Sequence, residues 1–315
     1  MYIHKYTIMR GSVNMNIVDK ILRLKEEKDA LIVAHLYQRP EIQEIADIVG
    51  DSYFLSKKAM ESPKKTIVFC GVKFMAESAK ILSPNKKVLI PVNDSTCPMA
   101  DMAVMYKLDE LKSKHPNAKV VTYINSNLDV KAVSDVAVTS SSAEKIINNI
   151  EEEEIIFLPD RNLGSYLQEK LPKKKFILYD GFCPTHERIE KEEMEAVIAE
   201  NPSYPVLVHP ECSKNVRDLA TFIGSTSELI GYSAESNAEG FIVVTEEGVL
   251  YEMQLKSPNK KFITMKTPMI CQNMKKITLE NLYSCLKNEE YEVHIDYEMR
   301  EKASRALENM HLLSK

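Results

Sequence analysis

The chain has few cysteines, no long apolar run and no basic run, and each shortage removes a class of protein. Six cysteines in 315 residues are too sparse for a disulfide scaffold, and no C-x-x-C pair occurs. No apolar stretch reaches the roughly 18 residues of a membrane span. The opening segment MYIHKYTIMRGSVNMN lacks the apolar core and small-residue cleavage site of an export signal. It reads as a disordered extension, with Met15 as an alternative start. Reduced thiols and a cytoplasmic location are therefore expected. The net charge is −5 and no long basic run appears, so nucleic acid is not an expected partner. Neither G-x-G-x-x-G nor a P-loop is present, which leaves nucleotide binding without a motif. What remains is an ordinary globular composition, 44% hydrophobic and 28% charged, with a length that suits two or three domains.

Self-comparison reveals a threefold repeat. DALIVAHLYQ, AKVVTYINSN and SYPVLVHPECS read alike, and His35, Tyr123 and His209 close their apolar runs at spacings of 88 and 86 residues. VGDS, VTSSS and IGSTS put Ser52, Ser140 and Thr226 at the same two spacings. TIVFCG, EIIFLPD and GFIVVTEE do so for Phe69, Phe157 and Val243. Finally KKVLIPV, KKFILYD and KKFITMK each run on to a cysteine, giving Cys97, Cys183 and Cys271 at spacings of 86 and 88. Four landmarks recurring together describe one unit used three times.

Short β-branched runs within each copy predict buried strands near 30–35, 47–50, 66–69 and 87–90. The second copy offers 119–124, 135–138, 155–158 and 175–178, and the third 204–208, 220–223, 241–244 and 261–264. Segments of helical period lie between them, among them PEIQEIADI, FMAESAKIL and SSAEKIINNI. Alternating strands and helices predict parallel sheets covered on both faces. The tail from Thr278 reads as helix, loop and helix, expected to pack back on the first repeat.

Ligands of open parallel sheets sit at the carboxyl ends of strands. There the first strands supply His35, Tyr37, Tyr123, Asn125, His209 and Glu211, the second strands Ser52, Ser140, Ser225 and Thr226, and the fourth strands the three cysteines. Three units around a pseudo-three-fold axis would bring these ends to one cavity. S-S-A-E from Ser141 and S-T-S-E from Ser225 fit the capping box, so helices are expected to begin there with N–H groups free for anions. The serines could equally do no more than cap. His35 and His209, paired with Tyr37 and Glu211, suit general acid–base work. His186 either meets substrate or caps a helix, and Asp160 and Glu246 are either supporting or surface groups.

Cys70 is matched in the other copies by Leu158 and Val244 and reads as core, as does Cys285 in an apolar helical pattern. Cys212 has no evident role. Only Cys97, Cys183 and Cys271 share one position in all copies. Soft thiolates suit iron–sulfur, zinc or copper. Three of them match three irons of a cubane and leave the fourth open as a Lewis acid, while zinc with an open position is the other reading. A structural zinc site would want a fourth protein ligand.

AHLYQ, GDS, VFCGVKFMAESAKIL, TCPMADM, VVTYINS, VTSSSA, FLPDRNLGSYL, VLVHPEC, IGSTSELI and CQNMKKITL together resemble the signature blocks of the quinolinate synthase (quinolinate synthetase A) family, from about Leu31 to Leu282. The resemblance implies an α/β fold of three pseudo-equivalent αβα domains with four-stranded parallel sheets around a pseudo-three-fold axis. The units would be 1–96 plus 272–315, 97–182 and 183–271. It implies a transferase condensing iminoaspartate (iminosuccinate) with dihydroxyacetone phosphate to quinolinate, with loss of phosphate and water, in de novo NAD synthesis. An aspartate oxidase or dehydrogenase would act upstream. It implies a [4Fe-4S] cluster on Cys97, Cys183 and Cys271. Tyr37, Glu211, His35 and His209 would be catalytic, and His35, Ser52, Tyr123, Ile124, Asn125, Ser140, His209, Pro210, Glu211, Ser225 and Thr226 would bind substrate. Leu36 and VTSSSA depart from the family's commonest pattern. Leu36 should not matter, because alternate strand residues face opposite ways. A different iron–sulfur dehydratase and an iron–sulfur sensor are the competing readings.

Overall fold

The computed structural model describes residues 16–314. The expected extension and the alternative start at Met15 lie outside them. Twelve strands form three four-stranded sheets. The first holds β1 (Ala30–His35), β2 (Ile48–Gly50), β3 (Thr66–Cys70) and β4 (Lys87–Leu89). The second holds β5 (Lys119–Tyr123), β6 (Val136–Val138), β7 (Glu154–Leu158) and β8 (Lys175–Leu178). In the third are β9 (Val206–Val208), β10 (Phe222–Ile223), β11 (Gly240–Val244) and β12 (Lys261–Ile263).

All pairings are parallel, and each sheet runs second–first–third–fourth strand. The repeat in the sequence is thus a repeat in topology, and the fold is α/β with three pseudo-equivalent units. Their central strands are buried almost throughout, as in Val33, Ile67, Val121, Phe157, Leu207 and Ile242. Near-continuous β-branched runs are what such two-sided burial requires.

Strand limits match the sequence expectation in the first two sheets and fall short in the third. β9 starts at Val206, not 204, because Pro205 carries no N–H for the ladder. β10 starts at Phe222, not 220, and Thr221 before it accepts the Val206 N–H on its hydroxyl at 3.0 Å, as Asp47 and Asp135 accept the Ile32 and Val120 N–H groups ahead of β2 and β6. The capping box at Ser225 forms, with Glu228 Oε2 2.7 Å from the Ser225 N–H. The one expected at Ser141 does not. The helix there is Ala143–Asn148, its N-cap is Ser142, and Ser142 Oγ accepts from the Thr139 N–H at 3.0 Å.

The tail packs back on the first unit, as expected. Helix Leu279–Asn288 packs Leu282, Cys285 and Leu286 against Ile21, Ala30 and Ile32 of the first unit. The Val293 N–H then donates to the Val88 carbonyl at 2.8 Å, which covers the open edge of β4. Helix Tyr297–Leu313 packs on the first unit and on the second as well. Its stripe of Ala303, Ala306, Leu307 and Met310 enters a core shared by the first two units, and Asn309 Nδ2 donates to the Asp135 carbonyl at 2.8 Å. Among the described residues no helix is long and apolar enough to cross a membrane.

Close helix–sheet packing depends on Gly164, in helix Arg161–Lys170. A Cβ there would stand 2.5 Å from Leu178 Cδ2 and 2.9 Å from Phe157 Cδ1. Gly164→Ala is expected to cost about 1–3 kcal/mol through forced repacking, read as a lower denaturant midpoint at unchanged slope.

Candidate active site

The first strands of the first and third units end in the same local device. His35 closes β1, and its Nδ1 accepts the Tyr37 N–H at 3.1 Å. His209 follows β9, and its Nδ1 accepts the Glu211 N–H at 3.3 Å. Because Nδ1 is the acceptor, Nε2 carries the proton in both neutral rings. The turn fixes the residue two places on, Tyr37 in one unit and Glu211 in the other. Tyr123 ends β5, and the Ser126 hydroxyl closes the equivalent turn on its carbonyl at 2.8 Å.

These ends meet at one cavity, in which the centre of a water molecule can occupy about 70 Å³. His35, Tyr37, Tyr123, Ile124, Asn125, His209 and Glu211 line it, with Ser52, Ser140 and Thr226 and with Cys97, Cys183 and Cys271. Pro210 and Ser225 are not in the wall. Ser225 is turned to Glu228, its Oγ donating to Oε2 at 2.6 Å. Leu36 faces away as expected, into an apolar cluster with Leu207 and Leu229.

Glu211 is the hub of the polar wall and is 4% exposed. Tyr123 donates its hydroxyl to Oε1 at 2.8 Å, and His186 Nδ1 stands 2.8 Å from Oε2. Tyr37 Oη lies 3.0 Å from Thr226 Oγ1 and 3.2 Å from Thr245 Oγ1, and Thr245 Oγ1 also meets His186 Nε2 at 3.0 Å. Asn125 Oδ1 is buried in the wall with no hydrogen-bond partner, an acceptor left for an incoming donor.

Burial raises the affinity of Tyr37 and Tyr123 for their protons, and the Glu211 charge reinforces it. Burial alone would push Glu211 up as well, but the histidines beside it and the donors His186 and Tyr123 outweigh that and hold it below the usual carboxylate range. His35 is pulled down to about 4 by burial, so it is neutral at physiological pH. In the unfolded chain it takes its proton near 6.5. Between these values the unfolded state binds more protons, so stability falls as pH drops across that window. His35→Gln is expected to flatten this fall, as measured by melting temperature along a pH series through the window.

The thiols come from three equivalent turns. Cys97 and Cys183 each precede a proline that starts a short helix, Pro98–Met102 and Pro184–Glu187, and Cys271 precedes the turn Met274–Lys276. Burial pushes the Cys97 thiol up to about 12 and raises Cys183 and Cys271 too. Against this, backbone N–H groups of Met99 and Ala100 aim at Cys97, that of His186 at Cys183, and those of Asn273 and Met274 at Cys271. Such cups favour thiolate once a cation neutralises it. Among the described residues, the set with donor atoms all within 4.8 Å of one another is Cys183, His186 and Glu211, not the three cysteines.

A family model described as quinolinate synthetase A protein matches residues 19–312. The chain belongs to the quinolinate synthetase A family. A curated quinolinate synthase of Clostridium perfringens (strain SM101) is 58% identical over 299 residues, 95% of this chain and 99% of that protein. Another, from Clostridioides difficile (strain 630), is 53% identical over 295 residues, 94% of this chain and 97% of its own length. That of Caldicellulosiruptor bescii is 51% identical over 292 residues, 93% of this chain and 96% of its own length.

Several wall residues of this quinolinate synthetase A family member were not legible from the repeat. His186 is 1% exposed and joins Glu211 to Thr245. Its signal was its place three residues after Cys183. Asp51, ahead of Ser52, is in the wall and caps helix Ser52–Glu61 by accepting the Phe54 N–H at 2.9 Å. Glu246 is not a surface group: it is buried, accepts the Cys271 N–H at 3.1 Å and pairs with Lys275 at 3.0 Å. Asp160 is also buried, and caps helix Arg161–Lys170.

Proposed function

We propose that this chain is a quinolinate synthase, condensing iminoaspartate with dihydroxyacetone phosphate to quinolinate, with loss of phosphate and water, as a step of NAD synthesis. Family membership supports the reaction class. The observation that carries the reading is that strand-end acid–base groups and three repeat-equivalent thiols line a single cavity.

In this reading the starts of helices Ser52–Glu61 and Thr226–Glu235, with the turn at Ser140, hold the anionic groups of the substrates through N–H and hydroxyl donors. Asn125 Oδ1 receives a substrate donor. Glu211, ionised between Tyr123 and His186, accepts a proton from the condensing carbon skeleton. Tyr37, kept protonated by burial, donates one to a departing oxygen, and neutral His35 and His209 donate from Nε2. Cys97, Cys183 and Cys271 would hold a [4Fe-4S] cluster, which supplies an iron without a protein ligand, a Lewis acid for a substrate oxygen. An aspartate oxidase or dehydrogenase upstream and a reducing, cytoplasmic setting belong to the same reading, and all six cysteines are unpaired.

The test is anaerobic purification, counting of iron and sulfide, and a quinolinate assay on one sample. About four irons and four sulfides per chain with quinolinate formed from both substrates are expected. Turnover of a small hydroxy acid with no need for the phosphate substrate would favour a different dehydratase.

A further inference from the structure

Lys131 lies in helix Leu128–Val133, and its side chain is 0% exposed. A fully buried lysine is rare unless it is paired. Its Nζ donates to the Ser126 carbonyl and stands 5.0 Å from the centroid of the Phe74 ring. Among the described residues it takes part in no ion pair within 4.0 Å. Glu77 and Asp129 act on it through space from farther off, as does Cys97. Phe74 and Cys97 are both in the cavity wall. Burial pulls the ammonium down to about 8, so it is mostly charged at neutral pH. A buried cation with one carbonyl, one aromatic face and no carboxylate within 4.0 Å is met only by the more distant charges of Glu77 and Asp129. Three thiols that become thiolates around a metal group would add to them.

We propose that the Lys131 ammonium is the buried counter-charge of the metal group held by Cys97, Cys183 and Cys271, acting across Phe74 as a positioning charge. It rests on the iron–sulfur reading above. Two consequences follow from the sign. Adding an electron makes the group more negative, so Lys131 favours the reduced state. Binding of the group brings further negative charge to this cation, so Lys131 increases the stability gained on loading.

The experiment uses holoprotein prepared anaerobically, with Lys131→Met, Lys131→Gln and Lys131→Arg. Glutamine retains a donor for the Ser126 carbonyl and drops the charge. An EPR-monitored reductive titration is expected to find the reduction equilibrium about tenfold less favourable in the Met and Gln variants, about 59 mV for one electron. The Arg variant should stay near wild type. Melting temperatures with and without iron and sulfide are expected to differ less in Met and Gln than in wild type. Equal potentials in all four proteins would overturn the proposal. So would a shift in Met alone, which would assign Lys131 to the hydrogen bond. Wild-type protein that takes up no iron or sulfide would instead overturn the cofactor reading itself.

Discussion

Glu211→Gln is expected to leave iron and sulfide content unchanged and to reduce the turnover number for quinolinate by about 10²–10⁴-fold, the range for losing a general acid–base group. The change is nearly isosteric. The amide oxygen can still accept from Tyr123, whose hydroxyl now lies 2.8 Å from Oε1. What disappears is the negative charge facing His186 at 2.8 Å, and with it a proton acceptor at the centre of the wall. None of the three thiols is touched, so metal content serves as the control. The Michaelis constants should move little, because the anionic ends of the substrates are assigned to the helix starts near Ser52 and Thr226. Full activity in this variant would remove Glu211 from the proton inventory and shift the role to Tyr37 and the histidines.

The fold was legible because its signal is short-range and repeated. A strand buried on both faces shows as a β-branched run, and twelve runs at three equal sets of offsets leave little choice of topology. Limits failed where one atom decided them, as with the missing N–H of Pro205. The triple serine of VTSSSA gave a capping box at Ser141 that the chain does not use: the helix starts one residue later, and Ser142 at its N-cap position turns its Oγ to the Thr139 N–H instead of capping. Helix Tyr297–Leu313 showed its apolar stripe in the sequence, but a stripe does not name its partner. The seam between the first two units won because Ala303 and Ala306 permit close approach.

In the site, the period of two along a strand exposed His35 with Tyr37 and His209 with Glu211, since both members of each pair lie at a strand end. Contacts between segments far apart in the sequence carried no such pattern. His186 meets Thr245, 59 residues on, and Lys275 reaches Glu246 and the Tyr37 carbonyl from a different turn. Lys131 belonged to no motif and to no landmark of the repeat. Buried polar groups of this kind are revealed by what surrounds them, which only the folded chain supplies.

Serine at Cys97, Cys183 or Cys271 is expected to abolish quinolinate formation and to remove most bound iron and sulfide, each variant alone sufficing. Three thiolates are the whole protein contribution in this reading, so losing one leaves the group on two. A hydroxyl is a poor substitute for soft iron, and its proton is far harder to remove in a cavity that already raises the thiols by burial. Alanine at Cys212 and serine at Cys70 or Cys285 form the matched controls. Cys70 and Cys285 pack in one apolar cluster with Ile21 and Leu282, and Cys212 in another with Val208 and Val244. Their loss should lower the melting temperature and spare iron. The two sets differ by position in the repeat and not by residue type, so iron counts across all six variants test the equivalence of the three turns directly. Iron retained in full by the Cys183→Ser protein, where His186 and Glu211 stand closest to the sulfur, would point instead to a smaller metal site built on that histidine and glutamate.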